Sequence, residues 1–374
     1  MRLSFGSWLA VAVVATAGVG VALTSFERPP VSVVQRGFRG TAMEVVYNPR
    51  MLEVNAYLHQ APEAPEPADA EGPKAKEVYE NVQVLGDLSL GQFGRLMQSI
   101  TAWVSPEVLD EAGNPLPAAG NFQRGCNYCH NPENYAEDSV YTKVVARRML
   151  QMTKHINEHW QSHVGNAAAG EGAGVTCYTC HRGNPVPNNA WAQVPQQEQR
   201  RGRGFTQDSA SQNLASPVVG LSSLPYDIFT PYFEQAADIR VAGNDPMPVN
   251  NRHSIKQTEW TLGLMAHFSE SLNVNCTFCH NTRAFADWSQ SSPQRVNAWH
   301  GIRMIRDINV NYIDPLKPVF PANRLGPNGD PLKVNCATCH QGAHKPLYGA
   351  NMLRDHPELN LVSGTSAPPA EARR

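Results

Sequence analysis

Cys126-Asn127-Tyr128-Cys129-His130, Cys177-Tyr178-Thr179-Cys180-His181, Cys276-Thr277-Phe278-Cys279-His280 and Cys336-Ala337-Thr338-Cys339-His340 are four copies of one pattern, Cys-x-x-Cys-His. Together they contain all eight cysteines of the chain. Two thiols three positions apart reach both vinyl groups of one haem as thioethers, and the adjacent histidine coordinates the iron. A lone Cys-x-x-Cys also reads as a redox dithiol or half a zinc site. Four copies, each completed by histidine and leaving no cysteine over, set that reading aside. The sequence predicts four covalently bound haem c groups, each held by its two cysteines, with His130, His181, His280 and His340 as iron ligands.

Length and composition fit a globular protein outside the cytoplasm. The 374 residues are enough for two domains. Hydrophobic residues make up 41% and the formal net charge is -2, so no basic surface points to nucleic acid. With 28 Gly and 29 Pro, long irregular stretches are expected around cofactors whose faces replace aliphatic packing. The expected fold class is therefore mainly α with extensive irregular loops.

Leu3 to Phe26 runs 24 residues without a charge, between Arg2 and Glu27. About 20 such residues span a bilayer core. Ala15-Thr16-Ala17 has the small-x-small form of a signal cleavage site, but cutting there strands Gly18 to Leu23 as an exposed apolar tail. The reading favoured is a retained, single-pass N-terminal transmembrane helix. Haem is attached to such motifs outside the cytoplasmic membrane, which puts the body on the periplasmic side.

The organisation expected is an anchor over 1–30, an extended segment with a Pro/Ala/Glu-rich loop over 31–77, and a first di-haem half over 78–187. A connecting loop over 188–223 carries Arg200, Arg201 and Arg203; a second di-haem half over 224–360 and a flexible tail over 361–374 follow. An internal echo supports two pseudo-repeated halves: Met152-Thr153-Lys154-His155-Ile156-Asn157 stands before the second motif and Met304-Ile305-Arg306-Asp307-Ile308-Asn309 before the fourth. Helical spacing over Gly91–Trp103, Val144–Trp160 and Gly263–Leu272 predicts a helix ahead of each attachment site.

A low-spin electron-transfer haem takes a sixth ligand, usually Met sulfur or His nitrogen. Met97 precedes the first motif, Met149 and Met152 the second, Met265 the third and Met304 the fourth. Spacing does not choose between Met149 and Met152, and the echo nominates Met304. His155, His159 and His163 follow one another by four and read as one polar helical stripe; His267 and His300 read as ordinary satisfied histidines.

Val145-Ala146-Arg147-Arg148-Met149, Cys177 to Gly183 (CYTCHRG), Val274 to Asn281 (VNCTFCHN), Gly301 to Asp307 (GIRMIRD) and His340-Gln341-Gly342 closely resemble the tetrahaem cytochrome subunit of purple-bacterial photosynthetic reaction centres. The resemblance runs from Tyr79 to Leu359. It implies Met97 as sixth ligand of the first haem, Met149 of the second and Met265 of the third, with His163 crossing over to the fourth. Met304 then packs beside the fourth haem without ligating it. A second histidine lowers the potential and Met raises it, so the fourth haem is expected to lie below the second and third.

The same resemblance implies reduction of the photo-oxidised bacteriochlorophyll pair of the L and M subunits, in a complex that includes H. Electrons would come from a soluble cytochrome c or a high-potential iron-sulfur protein, in the order first, second, fourth, third haem. Arg295 matches a family arginine beside the third haem. Glu107, Asp110, Glu111, Glu133, Glu137 and Asp138 cluster near the first motif and could attract a basic donor. One departure is an insertion over 107–124, which separates Met97 from Cys126 by 29 positions. Two rival classes are a membrane-anchored tetrahaem quinol dehydrogenase and a multihaem reductase. The first packs its motifs more closely than the 51, 99 and 60 residues between first cysteines here; the second needs an iron open to substrate.

Overall fold

The computed structural model describes residues 4–25, 31–35, 44–107, 124–167, 169–195, 218, 224–239 and 255–360. Residues 108–123 of the insertion, most of the connecting loop with its arginines, and the tail after residue 360 lie outside the described residues. The described chain is helical with long irregular connections. Its helices are α1 (Phe5–Ser25), α2 (Pro49–Val54), α3 (Ala75–Val78), α4 (Leu90–Val104), α5 (Tyr141–His159), α6 (Gln161–Val164), α7 (Cys177–His181), α8 (Phe229–Phe233), α9 (Ile255–Leu272), α10 (Pro293–Ile308) and α11 (Cys336–His340). One antiparallel hairpin pairs β1 (Ser32–Gln35) with β2 (Glu44–Tyr47).

The four longer body helices, α4, α5, α9 and α10, each stand ahead of one Cys-x-x-Cys-His motif, as the periodicity predicts. Their ends follow from local chemistry. Ser89 caps α4 by accepting from the Gln92 N–H, and the Gln92 side chain accepts from the Ser89 N–H in return. Pro293 opens α10, where its missing N–H costs nothing. Apolar residues on α4 recur at Leu96, Ile100 and Trp103, and this face enters a core.

Two cores hold the body. One gathers Phe229, Tyr232 and Phe233 of α8, Leu264 of α9 and Ile302, Met304, Ile305 and Ile308 of α10, together with Ile156 from α5. The other gathers Leu96 and Trp103 of α4 and Leu150 of α5 with Leu347, Met352, Leu353 and Leu359 near the end of the chain. The sequence halves thus interlock: α5 reaches into the later core, and residues 347–359 complete the earlier one. Buried Arg95 ties these together, donating to the Pro65, Glu66 and Asp355 carbonyls at 2.8 Å each. The Pro/Ala/Glu-rich loop is irregular, as its composition predicts, yet it is fastened to the core at these carbonyls.

Helix α1 is fully exposed, and its 20-residue stretch Phe5–Thr24 has a mean hydropathy of 1.9. That length and composition suit a bilayer span. The hairpin follows within a few residues, exposes Val31, Val33, Val34 and Val46, and packs β2 against the turn Cys276–Phe278 of the third motif.

Candidate haem-binding cavity

The four motifs fold in two ways. The second and fourth are single α-helical turns, α7 and α11, each ended by a left-handed residue, Arg182 and Gln341, both with φ 48°. Gly183 and Gly342 continue in positive φ, where glycine carries no Cβ penalty. The first and third motifs are 3-10 turns, Gly125–Tyr128 and Cys276–Phe278. Each is held from behind by a hydroxyl: Thr142 donates to the Tyr128 carbonyl, and Ser292 donates to the Phe278 carbonyl at 2.6 Å.

Every motif histidine is turned the same way. Nδ1 meets a backbone carbonyl in all four: Tyr135 at 3.0 Å from His130, Asn184 at 2.8 Å from His181, Phe285 at 3.2 Å from His280 and Ala343 at 2.9 Å from His340. A carbonyl only accepts, so the proton sits on Nδ1 and the Nε2 lone pair is left for a metal. In the first and third motifs the carbonyl belongs to an aromatic residue whose ring lies over the imidazole, Tyr135 at 5.0 Å and Phe285 at 5.2 Å between centroids.

A fifth imidazole is set in the same manner. His163 on α6 bonds the Asn297 carbonyl through Nδ1 at 3.0 Å. Its ring faces that of His340 with centroids 6.1 Å apart and planes at 68°. That separation leaves room for one metal ion between the rings, which His163 and His340 would hold through nitrogens at about 2 Å each. Gly301 makes this possible, because a Cβ there would lie 2.7 Å from His163 Cε1. Burial pushes the His340 imidazole down to about 4, with His163 adding to the effect, and burial lowers the His163 imidazole as well.

All these groups open into one cavity of about 2790 Å³. All eight motif cysteines, the four motif histidines, His163, Met97, Met149 and Met265 line it. Ordinary ligand pockets measure about 300–1,000 Å³, so this volume suits several large cofactors. Its walls are mostly apolar, as porphyrin faces require. Met152 and Met304 also line it; Met304 is buried against its α10 neighbours in the later core. Burial pushes the Cys177 and Cys336 thiols up to about 12 and those of Cys129 and Cys279 up to about 11. The second and fourth motifs meet directly: the Cys180 and Cys339 sulfurs are joined, with Cα atoms 4.4 Å apart. A sulfur in that bond has none left for a thioether, so disulfide and haem attachment are alternatives for this pair.

One histidine reads differently from the sequence expectation. His155 is not on a solvated stripe: Nε2 sits 2.7 Å from the Asp307 carboxylate on α10, which also accepts from Trp160 at 2.7 Å and Asn311 at 2.6 Å. The interhelix contact draws it inward, while His159 stacked on it stays exposed. His267 is buried against Phe229 with Ser271 beside its ring, a satisfied core histidine as expected. Arg295 lies over the Trp288 ring at 4.1 Å. Burial lowers the His280 imidazole with the Arg295 charge adding to it, and the same charge opposes the rise that burial causes at the Cys279 thiol, placing Arg295 beside the third motif. Of the acidic residues noted near the first motif, Asp110 and Glu111 lie outside the described residues; Asp138 pairs with Arg147 at 3.0 Å and Lys143 at 3.3 Å.

The family model for the photosynthetic reaction centre cytochrome C subunit matches residues 27–360. This chain belongs to that family. Three similar proteins carry the description photosynthetic reaction center cytochrome c subunit. That of Thermochromatium tepidum is 49% identical over 94% of this chain and 82% of its own length. That of Rubrivivax gelatinosus is 49% identical over 96% and 91%, and that of Roseobacter denitrificans 40% identical over 95% and 93%. Membership makes the chain an electron-transfer protein of the photosynthetic reaction centre, carrying covalently bound haem c, and not an enzyme. The quinol dehydrogenase and reductase readings find no support in these relatives.

Proposed function

We propose that the chain holds four haem c groups and conducts electrons singly from a soluble periplasmic carrier to the photo-oxidised bacteriochlorophyll pair of the L and M subunits, within a complex that includes H. The observation that carries this is the single cavity reached by all eight motif cysteines and by five imidazoles whose Nδ1 atoms are committed to carbonyls. Haem iron with both axial positions filled supplies a reversible one-electron couple and no open site.

The chain's own residues do the rest. Cys126, Cys129, Cys177, Cys180, Cys276, Cys279, Cys336 and Cys339 form the thioethers, Cys180 and Cys339 included. His130 with Met97, His181 with Met149, His280 with Met265 and His340 with His163 complete the axial pairs. The shared geometry of the first and third motifs, and of the second and fourth, supports two pseudo-repeated di-haem halves. Placement of the hairpin supports the orientation: α1 crosses the membrane once, and β1 and β2 bring the third motif to the membrane end of a periplasmic body. Arg295 there favours the reduced state of the third haem. The first motif then faces the donor, a basic cytochrome c or a high-potential iron-sulfur protein. A pyridine haemochrome assay on the purified chain tests the cofactor count; four covalently held groups are expected, and fewer would overturn the reading.

A further inference from the structure

The hexapeptides ending in Asn157 and Asn309 echo each other in sequence, and their last residues perform one task. Asn157, buried near the end of α5, accepts the Val175 N–H at 2.8 Å and donates to the Val175 carbonyl at 2.9 Å and the Leu359 carbonyl at 3.2 Å. Asn309, fully buried just after α10, accepts the Val334 N–H at 3.0 Å and donates to the Val334 carbonyl at 3.0 Å and the Phe233 carbonyl at 3.4 Å. Val175 and Val334 stand two positions before Cys177 and Cys336. The next N–H in each case, of Thr176 and Asn335, donates to the hydroxyl of Thr179 and Thr338, both at 3.0 Å. A side-chain amide thus mimics a strand partner and clamps each motif to the helix ahead of it.

The two clamps differ in what else their helices carry. Helix α5 bears Met149, about two turns before Asn157. Helix α10 presents Gly301 to His163, which arrives from α6. We infer that Asn157 is a positioning residue that sets the span between Met149 and His181 across the second iron, whereas Asn309 ties the His340 motif to a helix that carries no ligand of its own and only braces His163 through the Asn297 carbonyl. The inference rests on the ligand assignment proposed above. Leu in place of Asn157 removes the partner of the half-buried Val175 N–H and carbonyl, and the motif would relax away from the Met149 sulfur.

The test uses Asn157→Leu and Asn309→Leu in the full chain, with haem count, the Met-to-iron absorption band and carbon monoxide binding by the reduced protein as readouts. Expected for Asn157→Leu are four retained haems, a weakened band and one new carbon monoxide site per chain. Asn309→Leu should keep the band and bind none. An Asn157→Leu protein with four haems, an unchanged band and no carbon monoxide binding would overturn the inference. Should that variant lose haem, Asn157→Asp, which keeps the acceptor and loses the donor, is read by the second-haem midpoint: a shift there alone supports positioning, and none refutes it. Carbon monoxide binding by the unaltered chain would instead refute the sealed-iron reading, and a new site in Asn309→Leu would refute the contrast drawn between the two clamps.

Discussion

His163 on α6 and His340 on α11 face each other at 6.1 Å between ring centroids, each with Nδ1 bonded to a carbonyl, of Asn297 and Ala343. Two helices far apart in sequence therefore bring together two imidazoles that each leave Nε2 without a carbonyl partner. Replacing one imidazole by a thioether raises the potential of such a centre. His163→Met should raise the midpoint of the fourth haem alone in a redox titration; an unchanged midpoint would remove His163 from the ligand set.

Gly301 supplies the room that this pairing needs. A methyl there would lie 2.7 Å from Cε1, 3.0 Å from Nδ1 and 3.2 Å from Nε2 of His163, all tighter than van der Waals contact. Gly301→Ala should displace the ring and replace the fourth haem's bis-His signature in electron paramagnetic resonance with another, while the haem stays attached. A spectrum identical to that of the unaltered chain would show that the ring yields without cost.

Arg295 is held by the Asp287 carbonyl at 3.0 Å and the Ser291 hydroxyl at 2.7 Å, over Trp288. A cation fixed beside an iron favours its less positive state. Arg295→Gln should lower the third-haem midpoint and leave the first unchanged in the same titration, and equal movement of both would assign Arg295 a general structural role.

Asp307 gives a pH dependence. Burial pushes its carboxyl up, but His155, Asn311 and Trp160 together hold it below the ordinary range. A carboxyl depressed by folding adds stability above its unfolded pKa of about 4, and that stability is lost as pH falls through the folded value. Asp307→Asn should melt lower at neutral pH, by roughly 1–3 kcal/mol of stability, and should lose part of the decline below about pH 4. Parallel acid limbs for the two proteins would contradict this.

Arg95 is buried with Glu358 3.9 Å away and holds both the Pro/Ala/Glu-rich loop and the chain's last described turn. Removing one partner of a buried ion pair costs about 3–5 kcal/mol. Arg95→Met should lower the thermal midpoint accordingly with all haems attached; a loss under about 1 kcal/mol would mean that solvent relieves the exposed partners.

What the sequence reveals and what it hides divide along distance. Haem attachment is legible because both sulfurs and the imidazole sit within five residues, and the helices ahead of the motifs because α4, α5, α9 and α10 have local periodicity. Hidden were contacts that close only in three dimensions: the carbonyl behind each imidazole, the Asn157 and Asn309 clamps, and residues 347–359 completing the earlier core. His155 reads as polar surface until α10 brings Asp307 against it. The echo was visible as a pattern, yet the asparagine bonds that its two copies share close only in the fold.

Flash excitation of native membranes, with haem absorption followed in time, addresses the central claim most directly. Light should oxidise the haems of this chain as the bleached pigment recovers, and removing residues 31–374 should abolish the haem signal and slow that recovery. Haems that stay reduced through the flash, with pigment recovery unchanged by the deletion, would contradict the account.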